Sequence, residues 1–305
     1  MQLAESTWTD AATLDTDLAL LPVGSTEQHG PHAPLGTDHL AAEAIAAAGA
    51  AAYADAEGDA GGEGDADSGD GGGGADARNE AGTRVDAESD GDADAGGGGD
   101  GGEVPIAPPI PVGIAEEHRQ FPGTLWVSED TFREYVGDVL RSLGASGFPR
   151  VVVVNGHGGN TGALREVCAR VSRDGDVYAV PFTWFDALAA GAGPDPSGDD
   201  GVDLLDGLGH GGPVETSLVW HVAPALVHEE RFPAAAEGAG ERFGEWVAGT
   251  NLAYDFAEFA PSGNVGDPAA GDPERGGMLL ERAGAALATL LEAVAARDVS
   301  RPADR

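Results

Sequence analysis

The chain has 305 residues, and its 53 acidic against 16 basic residues leave a formal net charge of −37 at pH 7. Every basic residue is an arginine. Such a charge repels phosphate groups, which argues against binding to nucleic acid or to an anionic membrane surface. Molar salt screens the self-repulsion of the folded chain, whereas dilute buffer does not. We therefore expect a halophilic, haloarchaeal source and a salt-rich cytoplasm.

Cysteine content and the amino-terminal sequence bear on the cellular compartment. A single cysteine excludes an internal disulfide framework. Cys168 lies in a helical pattern, where we expect a buried, inert thiol rather than a nucleophile. The amino terminus lacks a basic region followed by an apolar stretch, and no segment reaches the length that a bilayer requires. We expect a soluble, cytoplasmic protein.

Apolar strand patterns alternate with helical patterns along the chain. The predicted strands cover residues 18–23, 151–154 and 177–182, and the predicted helices cover 38–53, 129–143, 161–171 and 278–296. The proline-rich segment 104–112 is predicted to be extended, at a sheet edge or along a site. The four-valine run 151–154 is typical of a strand buried on both faces of a parallel sheet. We predict a three-layer α/β/α fold with a mostly parallel central sheet, whose ligands bind beyond the carboxyl ends of the strands.

Residues 54–103 differ in composition from the rest of the chain. They are almost wholly Gly, Ala, Asp and Glu, and Val85 is their single large aliphatic residue. Such a segment cannot bury enough apolar surface to offset the entropy of ordering it, so we predict a disordered acidic insertion. The whole chain, residues 1–305, is then one α/β domain that carries this insertion.

Two polar loops that follow predicted strands carry potential metal ligands. Glu27 and His29 are two residues apart in an extended turn, so both can face one cavity. Asp38 begins the next helix, where its carboxylate could bridge two cations. His157 follows the valine strand between glycines that permit close backbone approach. Any one of these histidines alone could be a hydrogen-bonded turn residue, but the four residues together suit Zn²⁺, Mn²⁺ or a mixed pair.

These segments together resemble the creatininase (creatinine amidohydrolase) family. The matching segments are residues 24–32 with Asp38, Glu117-His118 with residues 121–124, residues 155–160, His210 with residues 215–217, and, more weakly, residues 266–268. They cover nearly the whole chain outside the insertion. The resemblance implies a layered α/β amidohydrolase with two divalent ions, zinc and/or manganese with iron as a further candidate. It also implies a homo-oligomer, commonly a hexamer.

The resemblance also implies roles for individual residues. Glu27, Asp38 and His157 match ligands of one metal. His29 and Asp38 match ligands of the other metal. His210 matches a histidine that donates a proton and contacts the substrate.

One departure from the family pattern concerns the residues after the motif histidine. Creatinine-hydrolysing members carry an aromatic residue and a glutamate there, whereas this chain has Gly158 and Gly159. One ligand of the second metal is therefore missing from the motif. Glu215 is the candidate substitute, as ligand and catalytic residue. Its alternative role is that of a carboxylate favoured by the dipole at a helix amino terminus.

Other side chains are candidates for the surroundings of the site. Glu117 and His118 are candidate substrate-binding residues, with a surface helix cap as the alternative. Trp184 could cover a flat substrate or belong to the core. We expect His32 and His39 to support the ligands or to be exposed.

These residues together favour an enzyme that acts on a small-molecule amide. The leading hypothesis is hydrolysis of a non-peptide C–N bond, in a cyclic amide or a formamide, by a metal-bridging hydroxide. One alternative is cleavage of a peptide bond, as in mycofactocin maturation. A second alternative, motivated by the missing glutamate, is a non-catalytic metal-binding subunit.

The net charge predicts that folding depends on salt. We expect the melting temperature, followed by circular dichroism, to rise between dilute buffer and molar KCl, because counter-ions screen the repulsion among carboxylates. Equal melting temperatures in the two solutions would contradict the halophilic interpretation.

Overall fold

A computed structural model describes residues 1–61, 103–193 and 203–299. Its centre is a parallel sheet of three strands in the order β1 (Leu18–Val23), β2 (Arg150–Asn155) and β3 (Tyr178–Thr183). Each strand lies within a residue or two of its predicted bounds. The two outer strands both pair with β2, so the carboxyl ends of all three strands meet at one edge.

The proline-rich segment lies along the free side of β1. Ile106 and Ile110 form isolated parallel bridges with Leu20 and Val23. The Leu20 and Ile110 amides donate to carbonyls across this edge, at 2.9 Å each. Prolines are tolerated here because an edge segment needs only some of its N–H groups for pairing. The structure confirms the predicted extended segment.

Eight α-helices are found in the described part of the chain. They are α1 (Trp8–Ala11), α2 (Thr37–Gly61), α3 (Glu129–Ala145), α4 (Thr161–Asp174), α5 (Trp184–Ala189), α6 (Pro213–Val222), α7 (Phe232–Glu237) and α8 (Pro273–Ala295). Among the described residues, no helix combines the length and the apolar character needed to cross a membrane. A two-stranded antiparallel hairpin, β4 (Trp246–Val247) and β5 (Thr250–Asn251), forms a second sheet in the described part of the chain.

The helices cover both faces of the sheet, because alternate strand residues point to opposite sides. One core lies between Leu21 and Val153 of the sheet and the helices α3 and α4. A second core lies between Leu20 and Val152 and the helices α2, α6 and α8. The fold is therefore the predicted three-layer α/β/α arrangement. Cys168 is buried in the first core, where burial raises the pKa of its thiol to about 12.

Two helices are longer than their sequence patterns indicated. α2 continues to Gly61 although disorder was predicted from Ala54, and α8 begins at Pro273, before the predicted start. The two helices pack closely, since a Cβ on Gly49 would lie 2.5 Å from a Leu287 methyl carbon. This contact holds the middle of α2 against α8, whereas residues 54–61 continue the helix without an apolar pattern of their own. The remainder of the predicted insertion, residues 62–102, lies outside the described residues.

Candidate metal centre

The candidate site lies at the carboxyl edge of the sheet. The loop after β1 carries Glu27 and His29, the first turn of α2 carries Asp38, and His157 follows β2. His210 and Glu215 arrive from the loop before α6 and from its first turn. The structure thus brings together all the side chains expected at the metals, although they come from four parts of the chain. Glu27 and His29 are fully buried, and the others are nearly so.

Glycines let the strand ends approach the start of α2 closely. A Cβ on Gly156 would lie 2.1 Å from the carbonyl oxygen of Asp38, and one on Gly24 would lie 2.4 Å from the His39 amide nitrogen. Side chains at these positions would therefore push α2 away from the sheet edge. The glycines that flank the motifs hold the Asp38 carboxylate next to the loops after β1 and β2.

Three histidines each direct one ring nitrogen at a main-chain carbonyl. The pairs are His29 Nδ1 with Glu27 O at 3.1 Å, His157 Nε2 with Ile114 O at 2.7 Å, and His210 Nε2 with Gln28 O at 2.6 Å. A carbonyl oxygen only accepts, so each of these nitrogens carries the proton and donates it. The other nitrogen of each neutral ring is then a lone pair. Metal-binding histidines are held in the same way by a partner for their outer nitrogen.

The inner nitrogens of two of these rings face carboxylates. His29 Nε2 lies 3.0 Å from Asp38 Oδ1 and 3.7 Å from Glu215 Oε2. His157 Nδ1 lies 3.1 Å from Glu27 Oε1 and 3.3 Å from Asp38 Oδ2. Asp38 therefore presents one oxygen to each ring. A lone pair and a carboxylate oxygen repel one another unless a proton or a cation lies between them.

The electrostatics of the cluster show the same need for positive charge. Both oxygens of Glu27 and Oδ2 of Asp38 are buried without a hydrogen-bond partner. Burial raises the pKa of Glu27, and it raises the pKa of Glu215 to about 7. Burial opposes a charge on His29, yet the Asp38 carboxylate raises the pKa of that imidazole to about 10. Buried, unpartnered carboxylate oxygens are costly, and bound cations would remove that cost.

The ligand atoms form two compact groups that could each hold a cation. Glu27, Asp38 and His157 make one group, and His29, His210 and Glu215 make the other. Mixed imidazole and carboxylate donors suit zinc and manganese. A third geometric grouping contains Glu27, His118 and His210.

The position of Glu215 is compatible with both roles that were considered for it. Its Oε2 accepts a hydrogen bond from the Gly211 amide at 2.6 Å, just before α6 begins. The same oxygen faces His29 Nε2. The backbone contact orients the carboxylate, and that orientation leaves it beside the second ligand group.

A cavity of about 350 Å³ opens over this cluster. Its polar side contains Glu117, His118, His157, His210 and Glu215, and its apolar side contains Phe185, Leu208, Phe243 and Phe256. None of the described residues that line it is an arginine. The volume falls within the range of small-ligand pockets.

Trp184 takes the core position, which was the alternative to covering a substrate. Its side chain is 1% exposed and packs in the core shared by β2, α5 and α8. Trp184 is the first residue of α5. The next residue, Phe185, lines the cavity instead. Aromatic residues at a strand-to-helix junction alternate between core and site, and the sequence pattern did not distinguish them.

The two remaining histidines near the ligands have separate partners. His32 is buried, and its Nε2 lies 2.9 Å from Thr216 Oγ1. His39 is half-buried and its Nδ1 contacts Glu43 at 3.0 Å. His32 therefore links the loop of the first motif to α6, while His39 pairs with Glu43 within α2.

Several residues of the site carried no role in the sequence analysis. Gln28 is buried between His118 and His210, with its Nε2 at 2.7 Å from His118 Nδ1. Its position inside the first motif was a signal that could have identified it. Phe243 and Phe256 line the cavity from a segment without a recognisable motif, so only the folded structure identifies them.

Comparisons with known proteins agree on the relationship. The family model Creatininase, described as creatinine amidohydrolase, matches residues 4–291. The chain is 28% identical over 249 residues to the mycofactocin precursor peptide peptidase of Mycobacterium ulcerans, across 82% of this chain and 74% of that protein. It is 31% identical over 216 residues to the protein of the same name from Mycobacterium tuberculosis, across 70% of this chain and 62% of that protein.

Solved structures show the same fold at lower sequence identity. A creatinine amidohydrolase (creatininase) matches with a TM-score of 0.63 at 20% identity, over 97% of this chain and 98% of that chain. A Zn–Zn form of a creatininase variant and a manganese creatininase match with TM-scores of 0.63 and 0.60. Both are 21% identical and cover 96% of this chain and 97% of theirs. The fold is thus the creatininase-like α/β/α fold.

Replacing ligands should remove metals in a ranked order. We expect Asp38→Ala to lose both metals, because this carboxylate faces both histidines, and Glu215→Ala to lose at most one. Glu43→Ala, an exposed change on the same helix, is the matched control and should keep both. Metal content of the dialysed, folded variants by mass spectrometry provides the measurement. Two metals retained in Asp38→Ala would refute the bridging role.

Proposed function

The chain belongs to the creatininase family of amidohydrolases, and from that premise we propose that it hydrolyses a neutral amide C–N bond with two divalent cations. One observation carries the proposal. The inner ring nitrogens of His29 and His157, which hold lone pairs, lie 3.0–3.3 Å from carboxylate oxygens of Asp38 and Glu27. Only protons or cations relieve that arrangement. Buried acceptors without donors support cations.

We assign the ligands by the donor atoms that face one another. Glu27, Asp38 and His157 would hold one cation. His29 and Glu215 would hold the other together with Asp38, whose Oδ1 lies 3.0 Å from His29 Nε2, and His210 of the second group is left for proton transfer. The donor set and the zinc and manganese forms of related folds support these two metals. When bound, such a pair lowers the pKa of a water nucleophile and polarises the substrate carbonyl.

His210 supplies the proton transfer in this proposal. Its Nε2–H donates to the Gln28 carbonyl, so its Nδ1 is free to take up a proton. Burial lowers the pKa of His210 well below its usual value, which keeps the resting ring neutral. Nδ1 therefore receives the proton of the attacking water and passes it to the leaving nitrogen. The backbone contact at Nε2 holds the ring in place during both transfers.

The cavity restricts the charge of the substrate. Glu117 is the lining carboxylate that this proposal does not assign to a cation, and no arginine among the described lining residues offsets it. A phosphate or carboxylate group of a substrate beside Glu117 would be repelled, whereas the aromatic side accepts apolar groups. The proposed substrates are therefore neutral amides that carry an apolar group.

Peptide cleavage is a second candidate function with support of its own. Both mycobacterial relatives are named mycofactocin precursor peptide peptidases. Phe243 and Leu208, at the cavity wall, are 46% and 40% exposed. A longer chain could follow this apolar surface out of the cavity, whereas a cyclic amide or a formamide would be contained within it.

The proposal also includes an assembly and a compartment. Trp246, Val247, Leu252 and Tyr254 expose large apolar surfaces around the β4–β5 hairpin. Such a patch on a highly acidic protein would be covered in the homo-oligomer, a hexamer, that we propose. A haloarchaeal cytoplasm remains the proposed compartment, on the basis of the charge.

A panel of amides tests the function. Creatinine, a formamide and short blocked peptides are incubated with the zinc- or manganese-loaded protein in molar KCl, and formate and new amines are measured. We expect metal-dependent turnover of at least one neutral amide. His210→Gln should keep its metals and lose about two to four powers of ten in rate. His221→Gln, whose ring contacts the Pro273 carbonyl, is the matched control.

The outcomes separate the alternatives. Formate or ring opening indicates a non-peptide amidohydrolase, and a new peptide amine indicates a peptidase. Full metal content without turnover of any amide would support the non-catalytic metal-binding subunit and contradict the proposal. Full activity of His210→Gln would contradict the proton transfer alone.

A further inference from the structure

Two main-chain groups hold the Gln28 side chain in one orientation. The Gly30 N–H donates to Gln28 Oε1 at 2.9 Å, and Gln28 Nε2 donates to the Gly263 carbonyl at 2.7 Å. Gly263 has a φ of +89°, and a Cβ there would lie 1.8 Å from Oε1. An amide N–H only donates and a carbonyl only accepts, so the Gln28 amide cannot be flipped.

The second N–H of that amide has two imidazole nitrogens within reach. His118 Nδ1 lies at 2.7 Å and His210 Nε2 at 3.0 Å. His210 Nε2 already carries the proton that it donates to the Gln28 carbonyl, so it has no lone pair to offer. The Gln28 amide therefore donates to His118 Nδ1. A neutral His118 must then carry its own proton on Nε2.

We propose that Gln28 is a positioning residue that fixes His118 as the Nε2–H tautomer. His118 Nε2 lies 3.4 Å from Glu27 Oε1, an oxygen that has no hydrogen-bond partner in the described structure. The tautomer thus places an N–H group, rather than a lone pair, beside the Glu27 carboxylate. His118 then supports a metal ligand and is not one itself.

This assignment decides among the three candidate groups of ligands. Both ring nitrogens of His118 are committed, one as an acceptor from Gln28 and the other as an N–H toward Glu27. The group of Glu27, His118 and His210 therefore holds no third cation. Partners of ligating carboxylates hold metal geometry, and their loss commonly costs about 10- to 100-fold in metal affinity or activity.

The burial of these groups explains why one amide can control the ring. His118 is 1% exposed, and its ring lies against His210 and Phe256 with centroids 4.4 Å and 4.0 Å away. This low exposure leaves little space for water to replace the Gln28 amide as the donor to Nδ1.

The tautomer can be read directly by long-range ¹H–¹⁵N NMR of histidine-labelled protein in molar KCl. The His118 signals are assigned by their loss in His118→Gln. We expect the Nε2–H pattern in both metal-free and zinc-loaded protein. An Nδ1–H pattern, or a zinc-induced shift of His118 typical of direct coordination, would overturn the proposal.

Two variants test the consequence for metal binding. Gln28→Leu should lose the tautomer preference and bind zinc about 10- to 100-fold more weakly at unchanged stoichiometry. His118→Gln retains an amide N–H in place of the Nε2–H, so it should keep the zinc stoichiometry and most of the zinc affinity. This variant tests the proposal even if Gln28→Leu does not fold. Loss of one metal in His118→Gln would identify His118 as a ligand and refute the proposal.

The effect on catalysis rests on the proposed function, but the tautomer does not. The NMR pattern and the zinc titration need no substrate. A protein with the expected tautomer and no amide hydrolysis would contradict the proposed function and leave the Gln28 assignment intact.

Discussion

The carboxylate of Asp38, buried between two histidines, is the constraint around which the site is organised. Each of its oxygens faces an imidazole nitrogen, and backbone carbonyls fix the outer nitrogens of both rings. Neither ring can turn away without losing a hydrogen bond, and the carboxylate has no exit to solvent. A stable form of this cluster needs positive charge at its centre.

The parallel sheet makes that arrangement possible. Because β1 and β2 are neighbours in the same direction, their terminal loops emerge side by side at one edge. Gly24 and Gly156 then allow α2 to begin against both loops, with Asp38 in its first turn. The backbone contacts at Gly24 and Gly156 are too close for any side chain. A substitution at either glycine would therefore disturb both the packing of α2 and the position of Asp38.

The cavity has one polar surface and one apolar surface. Its floor holds the carboxylates and imidazoles, and its wall holds Phe185, Phe243 and Phe256. The ring of Phe256 packs on His118 and His210, with centroids 4.0 Å and 4.8 Å away. The apolar wall therefore also limits the water that reaches the histidines, which strengthens the electrostatic interactions around them.

The sequence predicted the strands well and indicated which polar side chains lie together at the sheet edge, because both depend on local patterns. The valine run indicated a buried parallel strand, and the polar residues beyond it marked the site. The position of Trp184, in the core or at the cavity, stayed open because it depends on the direction of one side chain at a strand-to-helix junction. The extension of α2 escaped prediction because residues 54–61 share the small and acidic composition of the predicted insertion.

Other parts of the site depend on contacts that no local pattern encodes. The contact between Glu215 and His29 joins segments that are far apart in sequence. Gln28 stood within the motif, but its role follows only from the positions of Gly263 and His118 in the folded chain. Long-range hydrogen bonds of this kind become visible only in three dimensions.

Anomalous diffraction from crystals of the zinc-loaded protein tests the central claim most directly. The account predicts two zinc peaks about 3.5 to 4 Å apart, with one oxygen of Asp38 bound to each. It also predicts that the outer nitrogens of His29 and His157 keep their backbone carbonyls. A single zinc peak, or two peaks of which Asp38 binds only one, would contradict the account.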